Sequence, residues 1–189
     1  LEYKGIDYLR NKLSHRRFRV NMRYKQYAMK FHDNDPGITI PPEIRNQYHA
    51  VLGWCAKGVD SLADRLVFRD FDNDNFEVNN IFHDNNPDVF FDSAVLSALI
   101  GSCSFIYISK GQDDQIRLQV IEASNATGVI DPITNLLTEG YAVLKRDDFG
   151  SPVSEAYFTP QLTTFINGKI VTNIPNPTNQ PLFVPIIHR

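Results

Sequence analysis

Residues 87–121 read PDVFFDSAVLSALIGSCSFIYISKGQDDQIRLQVI, and the apolar period changes partway along them. From Pro87 to Ile100 the apolar residues recur at helical spacing, with proline at an N-terminal position that its missing N–H tolerates. Gly101 ends that helix. Beyond it, SFIYIS (104–109) and QIRLQVI (115–121) alternate apolar and polar side chains, as half-buried strands do. Lys110, Gly111, Gln112, Asp113 and Asp114 between them have the chemistry of a hairpin turn. The change of period divides the chain into helices first and strands second, an α+β class.

Upstream, residues 3–31 hold no proline and place Ile6, Leu9, Leu13, Val20, Tyr24 and Tyr27 on a roughly helical period. They predict one long helix, about 40 Å at about 1.5 Å per residue. HDNDPGITIPP, with Pro36, Gly37, Pro41 and Pro42, predicts an extended linker. A second helix is expected from Pro42 or Glu43 to about Leu66, burying a stripe of Ile44, Tyr48, Val51, Leu52, Cys55, Val59, Leu62, Ala63 and Leu66. VFRDF (67–71) reads as a short strand, DNDN (72–75) as a turn and Phe76–His83 as a short helix.

Downstream, GVID, TEGYAVLKR and SEAYFTP are strand candidates punctuated by Asp131-Pro132 and by Asp147-Asp148-Phe149-Gly150. LTTFING and KIVTNI form a hairpin around Asn167-Gly168, and a loop rich in Pro and Asn (175–181) precedes a last strand at Leu182–Ile187. The expected architecture is long N-terminal helices followed by an antiparallel β meander. It divides into a basic helical arm, 1–35, and an α+β body, 36–189.

The chain has 189 residues, 42% apolar and 22% charged, which is enough for one packed domain and argues against extensive disorder. No apolar run is long enough to span a bilayer, and no signal-peptide pattern is visible, so a soluble chain without a membrane role is expected. The start at Leu1, and the stop directly after a strand-like run, give the expectation of a piece of a longer protein. Cys55 and Cys103 lie in apolar surroundings without a metal-ligand spacing and are expected to be small core residues.

The formal net charge of −3 conceals a division. Residues 1–31 carry nine Lys or Arg against Glu2 and Asp7, while the remainder carries ten basic and twenty acidic residues. The basic segment is expected to meet an acidic surface: nucleic acid, another copy's body, or its own. Arg16, Arg17, Arg19 and Arg23 are the candidate residues for a subunit interface or a nucleic-acid contact.

Catalytic patterns fail one by one. Asp70, Asp72 and Asp74 open like a calcium loop, but Asn75 and Ile81 stand where Gly and Glu are required, leaving a helix-capping turn as the reading. His15, His32, His49, His83 and His188 are scattered, with no HxH or HExxH spacing. Ser102 and Ser104 flank Cys103 without a nucleophile elbow, and there is neither a P-loop nor a dinucleotide fingerprint. Asn125-Ala-Thr127 matches a glycosylation acceptor, which has no meaning without secretion. No catalytic residue, metal site or cofactor is expected.

The order of these pieces resembles the N-terminal portion of the portal proteins of tailed bacteriophages, the group typified by portals of siphoviruses infecting Bacillus. The resemblance rests on the Tyr- and Arg-rich first helix and on Val59-Asp60-Ser61-Leu62-Ala63-Asp64-Arg65-Leu66. It continues through a short run ending in Phe, an acidic turn, the passage from Ala94–Gly101 into Ser104–Ile108, and Ile121 to Asp131-Pro132. The chain departs from the family at Asp70, where relatives often carry Gly before the Phe.

The resemblance implies the outer wing of a homo-oligomeric ring of about twelve copies, closed by rotation, at one vertex of the virion capsid and assembled in the host cytoplasm. Double-stranded DNA would pass through its channel during packaging and ejection. Capsid and scaffolding proteins would be its neighbours, and terminase and head-completion proteins would dock on parts beyond Arg189. A separate ATPase supplies the energy, so no enzymatic role is implied. Two other readings stand beside it. One is a nucleic-acid-binding module using the basic helix. The other is an enzyme domain completed elsewhere, whose site would join His49, His83 and the turn Asp70–Asp74.

Overall fold

The computed structural model describes residues 3–30, 53–74, 76–111 and 113–187. The described helices are α1 (Ile6–Tyr27), α2 (Trp54–Ala63), α3 (Val78–Asp84) and α4 (Pro87–Gly101). The described strands are β1 (Cys103–Lys110), β2 (Ile116–Glu122), β3 (Ala126–Ile130), β4 (Leu137–Arg146), β5 (Pro152–Phe158), β6 (Leu162–Asn167), β7 (Ile170–Pro175) and β8 (Phe183–Ile187). The α+β class expected from the change of period is the class of the molecule.

The strands form two antiparallel sheets rather than one meander. β3-β4-β5-β6-β7 is a meander of five, whereas β8 returns across the molecule to pair with β1 in a second sheet ordered β2-β1-β8. Alternation gives each sheet two distinct faces. On β4 and β5, Gly140, Ala142, Ala156 and Phe158 turn toward the second sheet, and Glu139, Tyr141, Val143, Glu155 and Tyr157 turn toward α1.

Between the sheets, the rings of Phe105, Phe183 and Phe158 stack nearly parallel, with centroids 4.8 Å and 4.4 Å apart. Gly140 lies where a Cβ would come within 2.5 Å of Phe183, so the stack fills the space a larger residue would need. On the outer face of the five-stranded sheet, Leu9 and Leu13 of α1 pack on Tyr141 and Val143. The outer face of the smaller sheet is covered in part by Phe82 of α3 and by α4, whose Ala94 carbonyl accepts a hydrogen bond from buried Ser104 (2.8 Å).

Several expectations are corrected. α1 covers Ile6–Tyr27 rather than 3–31, because Gly5 enters it at φ 83 and Met29, at φ 55, turns the chain away. Its length is therefore about 33 Å. The linker at 32–42 and the start of the second helix lie outside the described residues. The described part of that helix, α2, buries none of its residues; Leu62 and Leu66 are about half exposed and Cys55 is exposed. Its hold on α1 includes a polar bond, Tyr27 Oη donating to Asp60 Oδ1 (2.8 Å), and the expected stripe is split, with Val59 and Ala63 half-buried and Cys55 and Leu62 exposed.

VFRDF is not a strand. Phe68 and Phe71 instead pack with Phe82 in an aromatic cluster at centroid distances of 4.3–5.7 Å, and no strand among the described residues offers the segment a ladder. The short helix expected at Phe76–His83 forms at Val78–Asp84, capped by Asp74, whose two carboxylate oxygens accept from Val78 and Asn79 N–H (both 2.7 Å). The helix-capping reading of the acidic turn is the structural one. At the end of α4 the left-handed residue is Ser102 (φ 72), one place after Gly101.

Candidate assembly face on the basic helix

The basic helix does not project from the body; its apolar stripe lies on β4 and it is held there by two carboxyl groups. At about 100° per residue, Leu9, Leu13 and Val20 form a buried line. Lys12, Arg16, Arg19 and Arg23 fall to one side of it, and Arg10 and Arg17 to the other.

Glu139, 1% exposed, receives the start of the helix: Lys4 N–H donates to Oε1 (2.6 Å), and Gly5 N–H to Oε2 (2.9 Å). Tyr157 Oη also donates to Oε2 (2.7 Å). A carboxyl from a distant strand thus does the work of a cap where Gly5 has no side chain to offer, at the positive end of the helix dipole.

Glu155 holds Arg10 in a two-pronged pair, Nε to Oε1 (3.1 Å) and Nη2 to Oε2 (2.7 Å), and Tyr141 Oη donates to the same carboxylate. Burial alone would raise the Glu155 pKa; the bonds from Arg10 and Tyr141 outweigh it and hold the carboxyl below its ordinary range. The Tyr141 hydroxyl is pushed up, first by burial and then by Glu155, while the bond to Glu155 raises Arg10. Lys12 donates to the Gly128 carbonyl (2.7 Å), and its burial lowers its pKa.

The four candidate arginines separate. Arg23 turns inward and donates to the Gly101 carbonyl (3.4 Å) and to Ser102 Oγ, tying α1 to the C-terminal end of α4. Beside it, Tyr24 hydrogen-bonds Ser97 Oγ (2.7 Å), and burial pushes its hydroxyl up to about 12. Arg16 and Arg19 are exposed and make no hydrogen bond or ion pair to any described residue. Phe18, between them in sequence, is 74% exposed. Arg17 is half-buried on the opposite flank and has no partner for its Nε among the described residues.

A feature that charge counting alone did not reveal lies on the body. Asp60, Asp64, Asp88, Asp92 and His83 line a groove of about 550 Å³ between α2, α3 and α4, with Arg69 as a cation on its border. Asp64, Asp88 and Asp92 are exposed and in no ion pair among the described residues. His83 therefore faces this groove rather than joining the turn Asp70–Asp74, and His49 lies outside the described residues. No three His, Cys, Asp or Glu side chains among the described residues are grouped to hold a metal. Cys103 is half-buried, and burial raises its thiol pKa.

Sequence reasoning missed Glu139 and Glu155, though a signal was present. In TEGYAVLKR and SEAYFTP each acid occupies the phase otherwise held by Tyr141, Val143 and Tyr157, a carboxyl within an inward-facing register. No helix among the described residues is long and apolar enough to cross a membrane. Against known proteins, the chain matches no family model and no curated protein.

Proposed function

We propose that this chain is a structural subunit of a closed ring, the outer wing of a tailed-phage portal at a capsid vertex, with no catalysis of its own. The ring holds about a dozen copies related by rotation, contacts capsid and scaffolding proteins, and surrounds the path of double-stranded DNA. Terminase and head-completion proteins engage parts outside this chain.

The observation that carries the assembly reading is a pair of unanswered surfaces of opposite sign. Arg16 and Arg19 on α1 have no partner among the described residues, and neither do Asp64, Asp88 and Asp92 on the groove of the body. A head-to-tail contact, in which one copy's basic helix enters the next copy's acidic groove, uses both surfaces and repeats until it closes. The buried carboxyls Glu139 and Glu155 are already engaged in holding α1, which supports a structural rather than a catalytic role. The phage assignment itself rests on the sequence resemblance.

Light scattering on the complete gene product tests the contact. Wild type runs as a single large species, and Arg16→Glu with Arg19→Glu lowers its mass toward the monomer; Asp88→Lys with Asp92→Lys does the same. Electron microscopy shows a ring with a central hole. A monomeric wild type, or variants of unchanged mass, overturns the reading.

The exposed, unpaired Arg16 and Arg19 also admit a second reading, a nucleic-acid face that neutralises phosphates, with exposed Phe18 turned about 100° or more away from them round the helix. A DNA affinity that falls steeply with salt and is lost in the Arg16→Glu, Arg19→Glu protein would support it over the ring.

A further inference from the structure

On the other flank of α1, Arg17 approaches the β4–β5 turn. Its Nε is shut off from solvent and has no acceptor among the described residues. A buried donor left unpaired costs about 1–3 kcal/mol, more for a charged group. Arg146 reaches the same turn from the end of β4, donating through Nε to Asn125 Oδ1 (2.9 Å) and through Nη1 to the Gly150 carbonyl (2.9 Å). A Cβ on Gly150 would lie 3.9 Å from Arg17 Nη2, so both guanidinium groups border this one residue. Gly150 has φ +82, a left-handed conformation that glycine adopts without strain.

Two like charges are thus held close together. Burial lowers the Arg146 pKa, and the charge of Arg17 lowers it further. Of the other charges nearby, Arg10 is paired with Glu155, whose two oxygens are both engaged and whose charge also favours the ionised Arg146. On the turn itself, Asp147 Oδ1 accepts from the N–H groups of Phe149 (3.0 Å) and Ser151 (2.7 Å). What remains is a groove of about 470 Å³, bordered by Arg10, Arg17, Tyr141, Arg146, Ser151 and Glu155, which keeps a surplus of positive charge from Arg17 and Arg146 once Arg10 is set against Glu155.

We propose that this groove binds a phosphoryl group, the phosphate of a small monoester, gripped between the guanidinium groups of Arg17 and Arg146. A dianion matches the pair of charges, and guanidinium donors fit its oxygens two at a time. The groove is larger than a bare phosphate requires and falls within the ordinary range for small-ligand sites, leaving room for an organic group. The inference is independent of the ring reading, since both charges lie within one copy.

The test titrates the whole protein with inorganic phosphate and, separately, with phenyl phosphate, following ³¹P line width and the melting temperature against sodium chloride at equal ionic strength. The expected result is saturable broadening and a rise in Tm above the salt control. Arg17→Gln weakens binding by about tenfold or more. Arg17→Lys, which keeps the charge but loses the fork, falls between, and Arg19→Gln stays within about twofold of wild type. Circular dichroism verifies that each variant is folded. Tighter binding of phenyl phosphate assigns the spare volume to an organic group, and equal binding assigns the site to free phosphate. The proposal is overturned by a response no greater than that to salt, by an undiminished response in folded Arg17→Gln, or by a response to duplex DNA alone.

Discussion

The first turns of α1 and its middle carry the same kind of charge and meet opposite circumstances. From Lys4 to Lys12, basic groups and free N–H groups find acceptors on β3, β4 and β5: Glu139 takes the start of the helix, Glu155 takes Arg10, and the Gly128 carbonyl takes Lys12. From Arg16 to Arg19 no described residue offers one. A count of basic residues makes one arm of the whole segment. Strand register divides it into a fastened part and an unfastened one, and only the second is left over for a partner.

That contrast can be broken from the fastened side. Leu9→Ala, at a fully buried position under the helix, should cost about 3 kcal/mol in urea denaturation. Glu139→Ala, which strips the acceptor from two backbone N–H groups and from Tyr157, should cost about 2 kcal/mol, with amide exchange rising first at the start of α1. A cost below 0.5 kcal/mol or so there would mean that water satisfies the helix start.

Glu155→Gln sharpens the contrast through pH. The Arg10 side chain is 39% exposed, so solvent weakens the pair, and a loss of about 1 kcal/mol at neutral pH is expected. Because Glu155 is held below its ordinary range, the stability it adds is complete above the unfolded-state value of about 4.3 and drains away as pH falls through the folded-state value. Wild type and Glu155→Gln should therefore differ most at neutral pH and converge under acid, as read by thermal melts; a gap that widened on acidification would reverse the assignment. The smallest effect belongs to the unfastened part. Arg16→Gln with Arg19→Gln should change the stability of the monomer by less than about 0.5 kcal/mol, and a larger loss would reveal a partner within the chain.

Local rules made the strand half legible. The alternation in Ser104–Ser109 and Gln115–Ile121 gives β1 and β2, and Asn167-Gly168 marks the β6–β7 hairpin, where Gly168 takes φ 62. What local rules do not contain is which strand pairs with which across a long separation. β8 looks like one more rung of a meander until its register with Cys103–Tyr107 is seen. The periodicity of α2 was real but could not tell a face turned to a core from one turned outward, which depends on what the fold brings opposite Leu62 and Leu66.

The candidate site was half legible for the same reason. Arg16, Arg17, Arg19 and Arg23 could be read as charge, yet their division among α4, the β4–β5 turn and solvent follows from where the body lies. Glu139 and Glu155 were visible as acids in an apolar phase, but the groups of α1 and its lead-in that they hold are more than a hundred residues upstream.

The return of β8 to β1 also bears on timing. A polypeptide leaving the ribosome can close the hairpins from β3 to β7 as they emerge, since each joins neighbours in sequence. Phe105 and then Phe158 must wait with a slot between them until Phe183 is synthesised and slides in. The nascent protein therefore keeps an open aromatic seam from the synthesis of Phe158 until Phe183 emerges, and a cell short of chaperones would meet it there first.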